Sequence, residues 1–180
     1  MIKKITTNSA NFYCVIACLF FVCFSNSLSA QIVLDTAATA ITKTVSCSGS
    51  TSFTDNNLAS GGLYFDDQAR KDTIILCPNT SGSQLKVTFT SFDVANDDML
   101  KAFDGDIKKD PSLTPEVAFG NGVSSAFGGW VQADCDPANN PTGCLSFVFE
   151  VNGDRTKGTG WTATITCESS GVVVQCPNNV

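Results

Sequence analysis

Along residues 85–92, "LKVTFTSF", apolar and polar side chains alternate. Leu85, Val87 and Phe89 point one way; Lys86, Thr88 and Thr90 point the other. A period of two is the mark of a strand with one buried face. The pattern recurs in "CLSFVFE" (144–150), where Leu145, Phe147 and Phe149 share a face. It is cleanest in "GWTATITC" (160–167), with Trp161, Ala163 and Ile165 against Thr162, Thr164 and Thr166. "DTIILC" (72–77) and "MLKAF" (99–103) are shorter strand candidates, with Leu100 and Ala102 inward. Turn-rich stretches separate them: "CPNTSGS", "DGDIKKDPSLTP", "DCDPANNPTGC" and "NGDRTKGTG". No segment carries a long 3.6-residue apolar period with caps, so little helix is expected. Several short strands joined by Gly, Pro and Asn turns predict an all-β sandwich. "AATAITKTVS" (37–46) reads as a lead-in or edge strand, and no internal repeat is seen.

The first thirty residues follow a different grammar. Lys3 and Lys4 precede the apolar run "CVIACLFFVCF", which ends in "SNSLSA". This is the layout of a secretory signal peptide, and the run is shorter than the ~20 apolar residues that span a bilayer. Cleavage is expected after Ala30, so that Gln31 opens the mature chain. A lipoprotein cut before Cys18 is the rival, but it needs a very short apolar run and leaves "LFFVCF" on the product.

Export changes two counts. Nine cysteines less Cys14, Cys18 and Cys23 leave Cys47, Cys77, Cys135, Cys144, Cys167 and Cys176, an even set that reads as disulfides. Eleven basic residues less Lys3 and Lys4 leave nine against seventeen acids, which moves the formal charge from −6 to −8. So acidic a chain argues against nucleic acid and anionic membranes as partners. The chain contains no histidine. That excludes Ser-His-Asp and Cys-His catalysis within it, and zinc sites that need imidazole.

The order of these pieces resembles a CUB domain, a β-sandwich module of extracellular proteins. The run from Asp98 to Gly105, "DMLKAFDG", is similar to the family's Asp-x-Leu-x-Ile-x-Asp-Gly, with Ala102 in place of a larger apolar residue. "LKVTFTSFDV" resembles its strand ending in Phe-x-x-Phe-Asp. "LSFVFEVNGDRTKGTGWTATI" resembles its closing hairpin, and the stretch from Cys47 to Pro78 resembles the opening of CUB modules in exported bacterial proteins. The likeness runs from Ser46 to Cys167. It implies an antiparallel, jelly-roll type sandwich with disulfides. Residues 1–30 are then the signal peptide, 31–45 a lead-in, 46–168 the CUB-like domain and 169–180 a short tail.

The resemblance also bears on the cysteines. A Cys47–Cys77 bond fits it, although Cys77 lies several residues later than the family's second cysteine, and the cysteine usual before the acidic loop is absent. The other four allow a sequential pattern, Cys135–Cys144 with Cys167–Cys176, or a nested one, Cys144–Cys167 with Cys135–Cys176. If Phe149 lies opposite Trp161 in a hairpin, Cys144 falls within a residue of Cys167, which prefers the nested pattern.

Many CUB domains bind calcium. Carried over by position, the Glu after Phe-Asp is Ala95 here, the Asp heading Asp-x-Leu is Asp98, the hairpin Asp is Asn152, and the supporting Tyr is Tyr64. One acidic ligand is kept, one becomes a neutral oxygen donor and one is lost. Asp93, Asp97 or Asp154 are the available substitutes, since calcium takes six to eight oxygens and accepts waters and carbonyls. A solvated acidic loop, whose Asp side chains cap turn amides, is the alternative. Other chemistry is less specific. No carboxylate pair shows the opposed placement of a glycosidase. Trp161 reads as core, and Trp130, after two glycines in "AFGGWVQ", reads as core or rim packing, with a loop ring that stacks on a sugar as the alternative. Asn79-Thr80-Ser81 is a glycosylation sequon. The resulting expectation is a secreted or cell-surface, non-catalytic module. It recognises a protein or carbohydrate, is weakly calcium-assisted at most, and has no membrane span in its mature form. An accessory or structural module of a larger secreted hydrolase is the alternative.

Overall fold

The computed structural model describes residues 30–34, 39–55, 63–64, 66–95, 97–113, 117–120 and 129–169. Residues 1–29, where a signal peptide is expected, Cys176 and the rest of the tail from residue 170 lie outside the described residues. Ten strands follow one another: β1 (Gln31–Val33), β2 (Ile41–Val45), β3 (Thr51–Thr54), β4 (Arg70–Pro78), β5 (Ser83–Asp93), β6 (Met99–Asp104), β7 (Val117–Gly120), β8 (Trp130–Gln132), β9 (Leu145–Val151) and β10 (Gly160–Ser169). No helix occurs among the described residues. The strands form two five-stranded sheets, ordered β1-β3-β10-β5-β8 and β2-β4-β9-β6-β7.

Alternation built the sheets as the sequence led us to expect. In β10, Trp161, Ala163 and Ile165 are buried while Thr162, Thr164 and Thr166 are partly exposed. Leu100 and Ala102 of β6 are fully buried. In β4 and β9 consecutive residues are buried on both faces, and in β5 the alternation breaks at "FTSF", where Phe89 and Phe92 are both buried although three residues apart. A register shift explains it: Ala163 pairs with Phe89, but Thr162 pairs with Ser91, so Thr90 is an extra residue in β5. The bulge turns the strand and returns Phe92 to the core side. The hydroxyl of Thr90 donates to the carbonyl of Thr162 at 3.0 Å, within the kinked ladder.

Aromatic rings join the sheets. Phe147 of β9 meets Phe53 of β3 at 5.2 Å between centroids, and Phe149 of β9 meets Trp161 of β10 at 5.1 Å in an edge-on arrangement. Both are contacts across the sandwich. The stretch read as a closing hairpin is therefore not one: β9 pairs with β4 and β6, whereas β10 pairs with β3 and β5. Phe149 and Trp161 do face each other, but through the core and not along a ladder. Two more details depart from the sequence reading. The edge pairs β1–β3 and β2–β4 are parallel in an otherwise antiparallel fold. Trp130 opens strand β8 and not a loop; its ring is half-buried, as rim packing requires, with the Lys86 ammonium 4.8 Å from its centre.

The crossing from sheet to sheet also overturns the cysteine pairings. The bonds are Cys47–Cys167 and Cys77–Cys144. Neither the Cys47–Cys77 bond nor the nested Cys144–Cys167 bond forms, and the sequential Cys135–Cys144 and Cys167–Cys176 bonds are excluded with them. Leu76 pairs with Leu145, so Cys77 and Cys144 sit opposite each other with Cα atoms 4.2 Å apart. Cys167 lies in the other sheet, opposite Leu85. Cys47 follows β2 past the end of β4, where its amide donates to Asn79 Oδ1, and it bridges over to Cys167. Cys135 is disulfide-bonded as well. Disulfides of this kind belong to oxidising compartments.

The Cys47–Cys167 bond closes a stretch of 120 residues and ties one sheet to the other. Replacing both cysteines with Ser should lower the unfolding free energy by about 3–4 kcal/mol. Urea denaturation of the oxidised proteins checks this, and a loss under about 1 kcal/mol would show that the aromatic core alone sets how the sheets associate.

Candidate functional site

All the described disulfide sulfurs lie at one pole of the sandwich. At the other pole three connections converge: residues 63–64 and 66–69 before β4, residues 94–95 and 97–98 between β5 and β6, and residues 152–159 between β9 and β10. Strand register brings them together, since Arg70 pairs with Val151, Met99 with Glu150, and Gly160 with Asp93.

Tyr64 is the pillar of this pole. It is fully buried, its ring stands edge-on to Phe149 at 5.1 Å, and its amide donates to the carbonyl of Gly158 at 3.3 Å. Its hydroxyl donates to Asp98 Oδ2 at 2.5 Å and accepts from the amide of Ala95 at 2.9 Å. The other oxygen of Asp98 accepts from the amide of Asn152 at 2.9 Å. One hydroxyl and one carboxylate thus lock all three connections. Burial drives the Tyr64 hydroxyl well above its ordinary pKa, and the bond to the Asp98 carboxylate adds to that. Burial also raises Asp98. The bonds from Tyr64 and Asn152 oppose the rise, while the charges of Asp66 and Asp154 add to it.

Of the residues singled out from sequence, Tyr64, Asp98 and the backbone of Asn152 come together. The others do not. Asp93 accepts from the amide and hydroxyl of Thr159 at 2.8 and 2.9 Å and serves the turn before β10. Asp97 is exposed, with a positive φ of 69°. It lines a cleft of about 400 Å³ with Arg70, Lys71, Glu150 and Asn152. The side chain of Asn152 accepts from the amide of Asp154 at 2.9 Å and shapes its own turn. Ala95 packs against the core.

One residue escaped sequence reasoning. Asp66, two positions beyond Tyr64, is fully buried. Its Oδ1 accepts from the amide of Gly153 at 2.7 Å, and its Oδ2 has no hydrogen-bond partner. Gly153 must be glycine, since its φ is 82° and a Cβ would stand 2.4 Å from the amide nitrogen of Ala69. That close approach brings the 66–69 segment against the 152–154 turn. Nothing in "FDDQ" distinguishes Asp66 from Asp67, which is exposed and pairs with Lys157 at 3.1 Å.

Whether the pole suits calcium depends on these oxygens. Among the described residues no three acidic or cysteine side chains converge closely enough to hold a metal ion by themselves. The pole does offer only hard oxygen donors, and one buried carboxylate oxygen, on Asp66, lacks any donor. That chemistry fits calcium, which fills its shell with waters and carbonyls.

No protein-family model matches this sequence, and a search of curated proteins finds no match. Three solved structures are similar in fold. The CUB1-EGF-CUB2 domains of rat MASP-1 align with a TM-score of 0.49 at 12% identity, over 71% of this chain and 42% of that one. The full extracellular region of zebrafish Gpr126/Adgrg6 aligns at 0.48 and 12%, over 78% of this chain and 15% of that one. The CUB1-EGF-CUB2 domain of human MASP-1/3 aligns at 0.47 and 13%, over 67% and 42%. This chain spans less than half the length of each, and the likeness concerns fold alone.

Two measurements probe the pole. Tyr64→Phe keeps the ring and removes both hydrogen bonds, one of them to a buried carboxylate. It should cost about 2–3 kcal/mol in urea denaturation. A loss below about 0.5 kcal/mol would mean the hydroxyl holds nothing. At the cleft, burial would raise Glu150, but Lys101 at 2.7 Å and Lys71 at 2.9 Å outweigh it, and the net shift is downward. A lowered folded-state pKa stabilises above the unfolded value, and that contribution is lost as pH falls through the folded value. Glu150→Gln should therefore cost about 1 kcal/mol at pH 7 and progressively less below pH ~4.5. A cost independent of pH would contradict the ion-pair account.

Proposed function

We propose that this chain is an exported, non-catalytic binding module whose tightly tied loop pole recognises a protein or carbohydrate, with calcium assisting at Asp98 and Asn152. The observation that carries the reading is the Tyr64–Asp98–Asn152 lock. It holds three surface connections in one arrangement before any ligand arrives, which reduces the ordering cost of binding. Loops on a rigid sandwich are a common place for recognition. Against catalysis stands the chemistry of the chain: it has no histidine to serve as the base of a Ser-His or Cys-His pair.

The rim favours one kind of partner. Asp67, Asp97 and Asp154 are exposed there, beside the half-exposed Leu63. Carboxylates around an apolar side chain suit a basic protein surface or a neutral glycan better than an acidic one. Calcium, when bound, adds positive charge among those carboxylates. It would be held by side-chain oxygens of Asp98 and its neighbours, and its role there is to stiffen the pole.

A screen of the purified mature protein against basic proteins, neutral glycans and sulfated glycans tests this. Binding to members of the first two groups, weakened at least about tenfold in the double variant Asp97→Ala, Asp154→Ala, is the expected result. Binding that is indifferent to both substitutions, or measured turnover of any glycan or peptide, would refute the proposal.

A further inference from the structure

We propose that the solvent face of the β1-β3-β10-β5-β8 sheet binds a neutral polysaccharide, laid across the strands and stacked at one end on Trp130. This surface is separate from the loop pole and does not rest on the function proposed for that pole.

Strand register builds the surface. Gln31 pairs with Ser52, Ser52 with Thr164, Thr164 with Thr88, and Thr88 with Trp130. Their chain neighbours Phe53, Ala163, Val87 and Val131 are buried in the core, so these five side chains face solvent. They form one row from edge to edge of the sheet, four strand spacings or about 19 Å long. Gln31 is exposed and the other four are half-exposed, so solvent reaches the row along its length.

The chemistry of the row selects its partner. Ser and Thr hydroxyls and the Gln amide each donate and accept hydrogen bonds, as sugar hydroxyls do. Trp130 offers an apolar ring for the C–H face of a sugar. The Lys86 ammonium, 4.8 Å from the ring centre, holds that ring before any ligand arrives. Lys86 belongs to the next row, where it pairs with Thr166 and Gln132. On the opposite flank lie Val33, Thr54, Thr162 and Ser91. Three adjacent rows thus carry one charged side chain, Lys86, in a chain with seventeen acids. A nearly uncharged face suits an uncharged ligand, while the net negative charge of the chain opposes a polyanionic one. A protein partner is less suited. Protein interfaces have a contiguous apolar centre, and here the two apolar side chains, Val33 and Trp130, stand at opposite borders of the sheet. Polar groups repeated at the strand spacing fit an extended sugar chain, whose hydroxyls also repeat, better than a single sugar.

Tryptophan fluorescence reads the site directly. The chain has two tryptophans and Trp161 is fully buried, so acrylamide quenches Trp130 selectively. Hexasaccharides of cellulose, xylan, mannan and chitin are titrated into the intact mature protein. At least one is expected to bind and to protect Trp130 from quenching. Trp130→Ala should weaken that binding at least about tenfold by calorimetry. The double variant Thr88→Val, Thr164→Val keeps strand-favouring side chains and removes two hydroxyls; it should weaken binding about threefold to tenfold. Asp97→Ala with Asp154→Ala, at the loop pole, should leave it unchanged. If no hexasaccharide binds, or if binding survives both Trp130→Ala and the threonine double variant, the sheet face is not a glycan site. Binding that is lost only in the Asp97, Asp154 double variant would leave the loop-pole reading standing and overturn this one. Binding confined to sulfated or uronate-containing hexasaccharides would put charge, and not the neutral row, in control, and would overturn it too.

Discussion

Contact between Phe147, Phe53, Phe149 and Trp161 across the two sheets is the interaction on which the molecule rests. Five strands a side, some only three or four residues long, supply too little ladder to be stable apart, and a sheet with one apolar face needs a second layer. Each ring removes a large apolar area from water, and the edge-on and tilted packing suits their quadrupoles. The bulge at Thr90 follows from the same demand: it brings Phe92 onto the core side, where it stacks on Trp161 at 6.2 Å.

With the middle of the sandwich filled by rings, its two poles are closed by different chemistry. At one, Cys47–Cys167 links the sheets covalently and Cys77–Cys144 links adjacent strands. At the other, carboxylates join the connections. Asp98, Asp66 and Asp93 each accept backbone amides from the 152–159 connection. A covalent pole withstands an oxidising exterior. A carboxylate pole is less permanent, and it gathers charge and oxygen donors at the surface.

Much of this was readable in the chain. Alternation in "GWTATITC", "LKVTFTSF" and "CLSFVFE" located β10, β5 and β9, because a buried face imposes its period on the sequence directly. The short edge elements β1, β7 and β8 were not, since three or four residues at a sheet border carry too few buried positions to leave a pattern. The link from Tyr64 to Asp98 came through family resemblance, and the structure shows a hydrogen bond where the resemblance implied support. Asp66 left no trace, because its burial depends on Gly153 pressing against Ala69, a contact between segments more than eighty residues apart.

The sequence by itself determined the class of the fold, the inward face of its long strands, an oxidising destination and the absence of histidine chemistry. These depend on residue type and local period. Tertiary structure alone decided which cysteines bond and which carboxylates come to one pole. Both depend on which sheet a strand joins. β9 and β10 are neighbours in the chain but belong to opposite sheets, because each buries its apolar face against the other across the core. That choice separates Cys144 from Cys167 and sets the 152–159 connection over the pole where Asp66 and Asp98 meet.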